Sequence, residues 1–111
     1  MVINQENLIK SGYSQFESCL NKDNEMYLKS YQKKIVDEKG IKYFITIDFY
    51  DLSTVNKTLG IQFQTHVQFN SKSGFTFDVS GLNDKKITIA ELEAFYEKVW
   101  SNMDCEYYEY S

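Results

Sequence analysis

Residues 61–80 read IQFQTHVQFNSKSGFTFDVS, which is two alternating segments separated by a polar turn. The odd positions of both segments are mainly isoleucine, phenylalanine and valine, whereas the even positions are polar. This period-two pattern is typical of half-buried antiparallel strands, which pack one face and expose the other to water. The stretch therefore predicts a β-hairpin, in which a three- or five-residue loop would pair Phe69 with Phe75 and Val67 with Phe77.

Residues 26–50 predict a second hairpin around the turn DEKG at residues 37–40. Gly40 is expected to take the positive φ of a three-residue loop. The resulting register pairs Asp37 with Ile41, Ile35 with Tyr43, and Tyr31 with Ile47. The inward row is then Tyr43, Ile45, Ile47 and Phe49, and the outer face carries Phe44, Thr46, Asp48 and Tyr50 with Gln32 and Lys34.

Helices are predicted at both ends of the chain. Thr88 to Glu91 form a capping box, which starts a helix with a broad apolar stripe. Near the N-terminus, Asn4 is an expected N-cap, and two short helical pieces follow. The second piece carries Phe16, Cys19 and Leu20, and the C-terminal stripe comprises Ile89, Leu92, Phe95, Tyr96, Val99, Trp100 and Met103. We therefore predict one α+β domain over residues 1–111, a four-stranded antiparallel meander sheet packed on one face by the C-terminal helix and the N-terminal helical segment.

Charge and composition narrow the classes of function. The net charge is -4, and residues 84–111 hold seven acids against three lysines. All twelve cations are lysine, so direct binding of nucleic acid is not expected. The two cysteines have no CxxC spacing, which gives no reason to expect a metal or other cofactor. The sequence shows neither an apolar run long enough to span a membrane nor the basic-then-apolar pattern of a leader. We therefore expect a cytoplasmic protein with free thiols that does not bind membranes.

The acidic, tyrosine-rich C-terminal region is the main candidate binding surface. Spread carboxylates can imitate a phosphate track and occupy the basic groove of another protein. Tyrosines add rigid contact area. The competing interpretation is a solvated face whose tyrosines dock on the protein's own body. The candidate partner-binding residues are Glu93, Glu97, Asp104, Glu106, Tyr107, Tyr108, Glu109 and Tyr110.

The outer sheet face is the second candidate. The hairpin register predicts that His66 lies opposite Asp78, a pair that could serve a general base or simply form an exposed cross-strand contact. Asp48 and Asp51 with Asp78 could hold a hard cation, or they could form an ordinary solvated strand end. One histidine cannot build a multi-histidine metal site, and no phosphate-loop or hydrolase motif is present, so no catalytic residue is assigned. The candidate residues on this face are Phe44, Asp48, Tyr50, Gln64, His66 and Asp78.

A family resemblance rests on short motifs. These are YQKK at residues 31–34, Asp37, Gly40, KYFI at 42–45, the helix 91–100 and EYYE at 106–109. Over about residues 29–109 the chain resembles small bacteriophage and prophage proteins, mostly without assigned function. The resemblance implies an origin in phage and action in the cytoplasm of an infected host cell. Several phage proteins of this size and acidity inhibit host defence, anti-CRISPR proteins among them.

These observations predict a non-enzymatic protein-binding module, an inhibitor of a host defence or nucleic-acid-binding protein that presents a basic surface. One alternative is a small-molecule binder or weak hydrolase that uses the His66 and Asp78 face. Another is a phage structural or assembly accessory that associates through its sheet edge. The sequence leaves the oligomeric state open.

Overall fold

The computed structural model describes residues 1–18, 21, 23–72 and 87–108, together with the backbone of residues 76–80. The elements are α1 (Gln5–Lys10), β1 (Ser14–Phe16), β2 (Tyr27–Asp37), β3 (Gly40–Asp51), β4 (Ile61–Asn70), β5 (Thr76–Ser80) and α2 (Ile89–Ser101). The strands form one antiparallel sheet in the order β1-β2-β3-β4-β5. The predicted α+β meander with a helix at each end is confirmed, and a short edge strand, β1, extends it.

Strand β1 replaces the second predicted helical piece. Asn4 caps α1 as expected, since its side chain accepts a hydrogen bond from the backbone N–H of Asn7. Gly12, with φ 93°, then ends the helical path, and Phe16 pairs with Ser30 of β2. The prediction of a helix at Phe16 was wrong because cross-strand pairing outweighs local helical spacing. Cys19 and Leu20 lie outside the described residues.

The β2–β3 hairpin has the predicted register in its body and a different one at its turn. Ile35 pairs with Tyr43 and Tyr31 with Ile47, as predicted. The pairing of Asp37 with Ile41 was wrong. Asp37 pairs with Gly40, and Val36 pairs with Ile41. Between this turn and the body of the hairpin, Lys42 is an extra residue on β3, so the register shifts by one through a β-bulge.

The β4–β5 hairpin keeps the predicted faces but not the predicted partners. Phe69 pairs with Phe77, and Val67 pairs with Val79. The predicted pairing of Phe69 with Phe75 was wrong by two residues, because the five-residue connection runs from residue 71 to 75, between Asn70 and Thr76, and not from residue 70 to 74. A shift of two residues preserves which positions share a face, since side chains alternate with period two.

The core lies between the inner sheet face and α2. The predicted inward row of β3 is confirmed, because Tyr43, Ile45, Ile47 and Phe49 are all at most 4% exposed. From α2, the buried residues are Ile89, Leu92 and Tyr96. Burying each large apolar side chain contributes roughly 1.5 to 3 kcal/mol, which makes α2 integral to the fold.

The buried stripe of α2 is narrower than predicted. Phe95 is 39% exposed and Met103 is 37% exposed. At 100° per residue, Ile89, Leu92 and Tyr96 lie within one narrow arc that faces the sheet, whereas Phe95 lies to one side of that arc. Met103 follows the last residue of the helix, Ser101. A straight helix on a sheet can bury only a limited arc, so the edge of the stripe remains accessible.

The start of α2 is tied to the N-terminus. The predicted capping box is present: Thr88 Oγ1 accepts from the N–H of Glu91, and the Glu91 carboxylate accepts from the N–H of Thr88. The N–H of Ile89 donates to the carbonyl of Met1 at 2.8 Å, and Val2 forms a bridge with Thr88. In the part of the chain that the structure describes, no helix has the length and apolar character required to cross a membrane.

Candidate functional site

The segment after α2 is docked across the end of the sheet that carries the β2–β3 and β4–β5 turns. The N–H of Glu106 donates to the carbonyl of Asn70 at 2.8 Å, and the N–H of Tyr108 donates to that of Ile41 at 2.9 Å. Two isolated antiparallel bridges, Ser71 with Cys105 and Ile41 with Tyr108, accompany these bonds. The backbone of residues 105–108 is therefore held like a short irregular strand, which fixes where its acids point.

This docking brings Tyr107 to the β2–β3 turn. Tyr107 Oη donates to Asp37 Oδ2 at 2.7 Å, and the Tyr107 ring packs edge-on against Trp100 with centroids 5.6 Å apart. Four carboxylates are exposed, two from the turn beside this tyrosine and two from the C-terminal segment that carries it. We define the acidic surface as Asp37, Glu38, Asp104, Glu106 and the half-buried Tyr107.

The pKa values of this surface are consistent with concentrated negative charge. The hydrogen bond to Asp37 raises the pKa of Tyr107 above its ordinary value, and slight burial and the charges of Asp37, Glu38 and Glu97 add to the effect. In return, the hydrogen bond from Tyr107 is the main cause that lowers the pKa of Asp37, with further help from the N–H of Lys39. Asp37 is therefore firmly ionised, and Tyr107 stays a hydrogen-bond donor.

Two predicted partner-binding carboxylates are instead engaged inside the fold. Glu93 Oε2 accepts from Tyr13 Oη at 2.9 Å and lies 3.0 Å from Lys33 Nζ. Glu97 Oε1 accepts from the hydroxyl of Tyr43 at 2.9 Å, and both its oxygens accept from Lys42 Nζ. Burial is the main cause that raises the pKa of the Tyr13 and Tyr43 hydroxyls, and the neighbouring carboxylates of Glu93 and Glu97 raise it further.

The bulge at Lys42 explains one of these pairs. As the extra residue of β3, Lys42 directs its ammonium group to the α2 side, where it meets Glu97 and lies 5.5 Å from the centre of the Trp100 ring. Its side chain is only 12% exposed, so it needs a charged partner. Glu97 supplies that partner, and its carboxylate is consequently less available to a binding protein.

The other C-terminal residues predicted to bind a partner differ in how far they are packed against the fold. The Tyr108 ring packs edge-on against Phe44, with centroids 5.2 Å apart, and so covers part of the outer sheet face. Asp104 lies 3.2 Å from Lys72 Nζ, and both side chains are largely exposed, at 79% and 59%. Glu109 and Tyr110 lie outside the described residues.

The predicted pair of His66 with Asp78 was wrong. In the observed register His66 lies opposite Ser80, and Asp78 lies opposite Gln68, because the five-residue connection lies one residue further along the chain than assumed. His66 contacts the carboxylate of Asp48 of β3, with Nε2 and Oδ2 3.2 Å apart. The side chain of Asp78 lies outside the described part of the chain.

Asp48 is the centre of a polar network on the outer face. It was predicted to meet water but is 5% exposed, and Ser30 beside it is fully buried. Ser30 Oγ donates to Asp48 Oδ1, and it also lies 2.7 Å from the hydroxyl of Tyr27. The Tyr27 hydroxyl accepts from the N–H of Ser18 at 3.0 Å, so the segment after β1 shields this part of the sheet.

Ser30 does not occupy the place of the nucleophilic serine of a hydrolase. In a nucleophilic triad the histidine contacts the serine, and the carboxylate lies behind the histidine. Here the carboxylate of Asp48 lies between Ser30 and His66. The arrangement satisfies buried polar groups and fixes the strands, which is a structural role.

The remaining candidates on the outer face are spread apart. Tyr50 packs against Tyr27 with ring centroids 5.9 Å apart, and burial followed by the charge of Asp48 raises its pKa. Gln64 is exposed opposite Asp48. Phe44 lies near the other end of the strand and lines an open groove of about 500 Å³. The groove is lined by Gly12, Ser14, Phe16, Gln32, Lys33, Lys34 and Phe44.

Sequence reasoning missed Asp37 and Glu38 as members of the acidic surface. The hairpin turn was predicted, and acids are common in turns, so neither residue stood out. Their role depends on where Tyr107 docks, a long-range contact that local patterns do not contain. The suspected cation site includes Asp78, whose side chain lies outside the described residues, so it stays a prediction. Within the described residues, no three histidine, cysteine or acidic side chains are grouped so as to hold a metal ion.

Comparison with known proteins adds no functional assignment. No protein-family model, curated protein or solved structure matches this chain.

Proposed function

We propose that this chain is a non-enzymatic protein-binding module whose acidic surface engages a basic, nucleic-acid-binding surface of a partner protein. One observation carries the proposal: the contact of Tyr107 with Asp37 holds the C-terminal segment against the β2–β3 turn, and the carboxylates of both segments stay exposed. Clustered carboxylates of one sign attract a basic partner at long range and accelerate association.

The acidic surface is better suited to binding than the acids of α2. Glu93 and Glu97 are already paired with Lys33 and Lys42. In contrast, the ion pair of Asp104 with Lys72 is exposed at both ends and competes weakly with a partner, since such pairs are worth at most about 1 kcal/mol. Tyr107 adds a ring held by two contacts, which loses little conformational entropy on binding.

The resemblance to phage and prophage proteins supports a partner in the host cell. A phage protein that covers a basic nucleic-acid groove would inhibit a host defence or nucleic-acid-binding protein by competition. The expected setting is the host cytoplasm, and the partner contributes the cations that this chain's surface attracts.

A pull-down from host lysate at low and high salt tests the proposal. The double variant Glu38→Lys with Glu106→Lys should abolish capture of a salt-sensitive basic partner. The matched control is Asp23→Lys with Glu25→Lys, which makes the same change in net charge on an exposed loop. Capture that survives Glu38→Lys with Glu106→Lys, or that is lost equally in the control, would contradict the role of this surface.

A second candidate function is the binding of a small molecule in the outer-face groove. The groove of about 500 Å³ places Phe16 and Phe44 beside Gln32 and Lys34, which offers aromatic contact together with polar groups. A ligand that binds there should raise the melting temperature of the wild-type protein and have no effect on Phe16→Ala. Equal stabilisation of both proteins would place the ligand elsewhere.

A further inference from the structure

One flank of α2 carries an open groove of about 390 Å³. Among the described residues, its lining comprises Phe95, Lys98, Val99, Asn102 and Met103. Phe95 is 39% exposed and Met103 is 37% exposed, so two large apolar side chains meet water at the same place. The groove has the size of a site for a small molecule.

The groove lies on the side of α2 that faces away from the ion pairs of the helix. Glu93 and Glu97 form their ion pairs with lysines of the β2–β3 hairpin, on one side of the buried arc. At 100° per residue, Phe95 and Lys98 fall on the other side of that arc. The groove therefore shares no residue with those ion pairs or with the acidic surface.

Lys98 is the charged residue of the groove. It is exposed, and within the described ranges its ammonium group has no carboxylate partner. Its neighbours three and four positions away on the helix offer no acid, since they are Ala94, Phe95, Ser101 and Asn102. The helix dipole favours a cation in the last turn, and this attraction leaves the ammonium group available to an anion.

We propose that this groove binds a small amphiphilic molecule with an apolar chain and one carboxylate, such as a medium-chain fatty acid. The chain packs on Phe95, Val99 and Met103, and the carboxylate meets Lys98.

Charge and size select this occupant. An apolar lining with one charged group is the usual composition of a small-molecule site, and the lysine attracts an anion and repels a cation. The described lining is far smaller than the roughly 20 to 30 residues that each side of a protein interface contributes, which favours a small ligand over a protein. Because the groove is open, a ligand of the size of decanoate should bind with a Kd of about 1 mM.

Titration with decanoate below its micelle concentration, followed by the backbone amide signals in NMR spectra, tests this proposal. Decanoate should shift the amides of residues 95–103 until they saturate, and decyltrimethylammonium, which has the same chain and the opposite charge, should bind more weakly. Lys98→Glu should weaken the binding of decanoate roughly tenfold and strengthen that of the cation. Lys57→Glu is the matched control, because it makes the same change in net charge in the exposed β3–β4 loop and should keep the wild-type preference.

The same spectra report whether each variant is folded, and Lys98→Gln repeats the test without adding an acid. Saturable shifts at residues 95–103, with the preference reversed in Lys98→Glu and kept in Lys57→Glu, support the proposal. Absence of saturable shifts at about 10 mM decanoate overturns it, as do shifts confined to other residues or a preference that Lys98→Glu leaves unchanged. Shifts of the same amides with protein concentration alone would assign the groove to a second copy and would also overturn it. Lys98 is not part of the acidic surface, so failure here is distinct from failure of the proposed function.

Discussion

Replacing Glu97 by alanine should destabilise the protein by about 2 kcal/mol. The loss leaves the hydroxyl of Tyr43, a residue 1% exposed, without its acceptor, which costs roughly 1 to 3 kcal/mol. The ion pair with Lys42 adds less, about 0.5 kcal/mol, because the Glu97 side chain is 45% exposed and water screens it. For a domain of this size, the melting temperature should fall by roughly 10 °C.

Urea denaturation followed by circular dichroism and by Trp100 fluorescence measures this change. Glu97→Gln should lose less stability than Glu97→Ala, since an amide oxygen still accepts a hydrogen bond from the Tyr43 hydroxyl. Adding Lys42→Met to Glu97→Ala should recover part of the stability, because it removes an uncompensated, nearly buried cation. Glu106→Ala is the control and should change the free energy of unfolding by less than ~0.5 kcal/mol. If Glu97→Ala were as mild as Glu106→Ala, the structural role of Glu97 would be refuted.

Three further predictions concern the contacts that fix the site. The stability difference between wild type and Tyr107→Phe should be constant near neutral pH. It should shrink as the pH falls below 3.8, through the lowered pKa of Asp37, and as it rises above 10.0, through the raised pKa of Tyr107. Thr88→Ala should lower the free energy of unfolding by about 1 kcal/mol through loss of the capping box, and Thr88→Ser should keep most of that stabilisation. Ser30→Ala should cost roughly 1 to 3 kcal/mol, because the buried Asp48 loses a donor.

The same urea titrations check all three. A Tyr107→Phe difference that stayed unchanged at pH 2.5 would argue against the bond with Asp37. Equal losses for Thr88→Ala and for Thr58→Ala, which removes a threonine from the exposed β3–β4 loop, would mean that the cap contributes nothing specific. A Ser30→Ala protein as stable as wild type would show that Asp48 finds another donor.

Much of the fold followed from local patterns. The alternation in residues 61–80 predicted two strands, and the capping box at Thr88 predicted the start of α2 to the residue. Local sequence patterns gave wrong predictions where contacts between distant parts of the chain decided the structure. Phe16 joined a strand because β2 had an edge to offer, and His66 lay opposite Ser80 instead of Asp78 because the position of a turn set the register. The buried state of Asp48 likewise depended on a chain segment that local alternation does not include.

The sequence by itself determined the inward-facing row of β3 and the helix position that faces the sheet, because alternation and helical spacing are local and burial of large apolar side chains is favourable. It also determined that the C-terminal quarter carries the excess negative charge. Only the tertiary structure decided which of those charges remain exposed. Lys42 and Tyr43 draw Glu97 into the fold, whereas Tyr107 docks on Asp37 and leaves the acids of the turn and of the C-terminal segment exposed. The physical reason is that a charge is neutralised or presented according to its neighbours in space, and those neighbours are set by long-range packing.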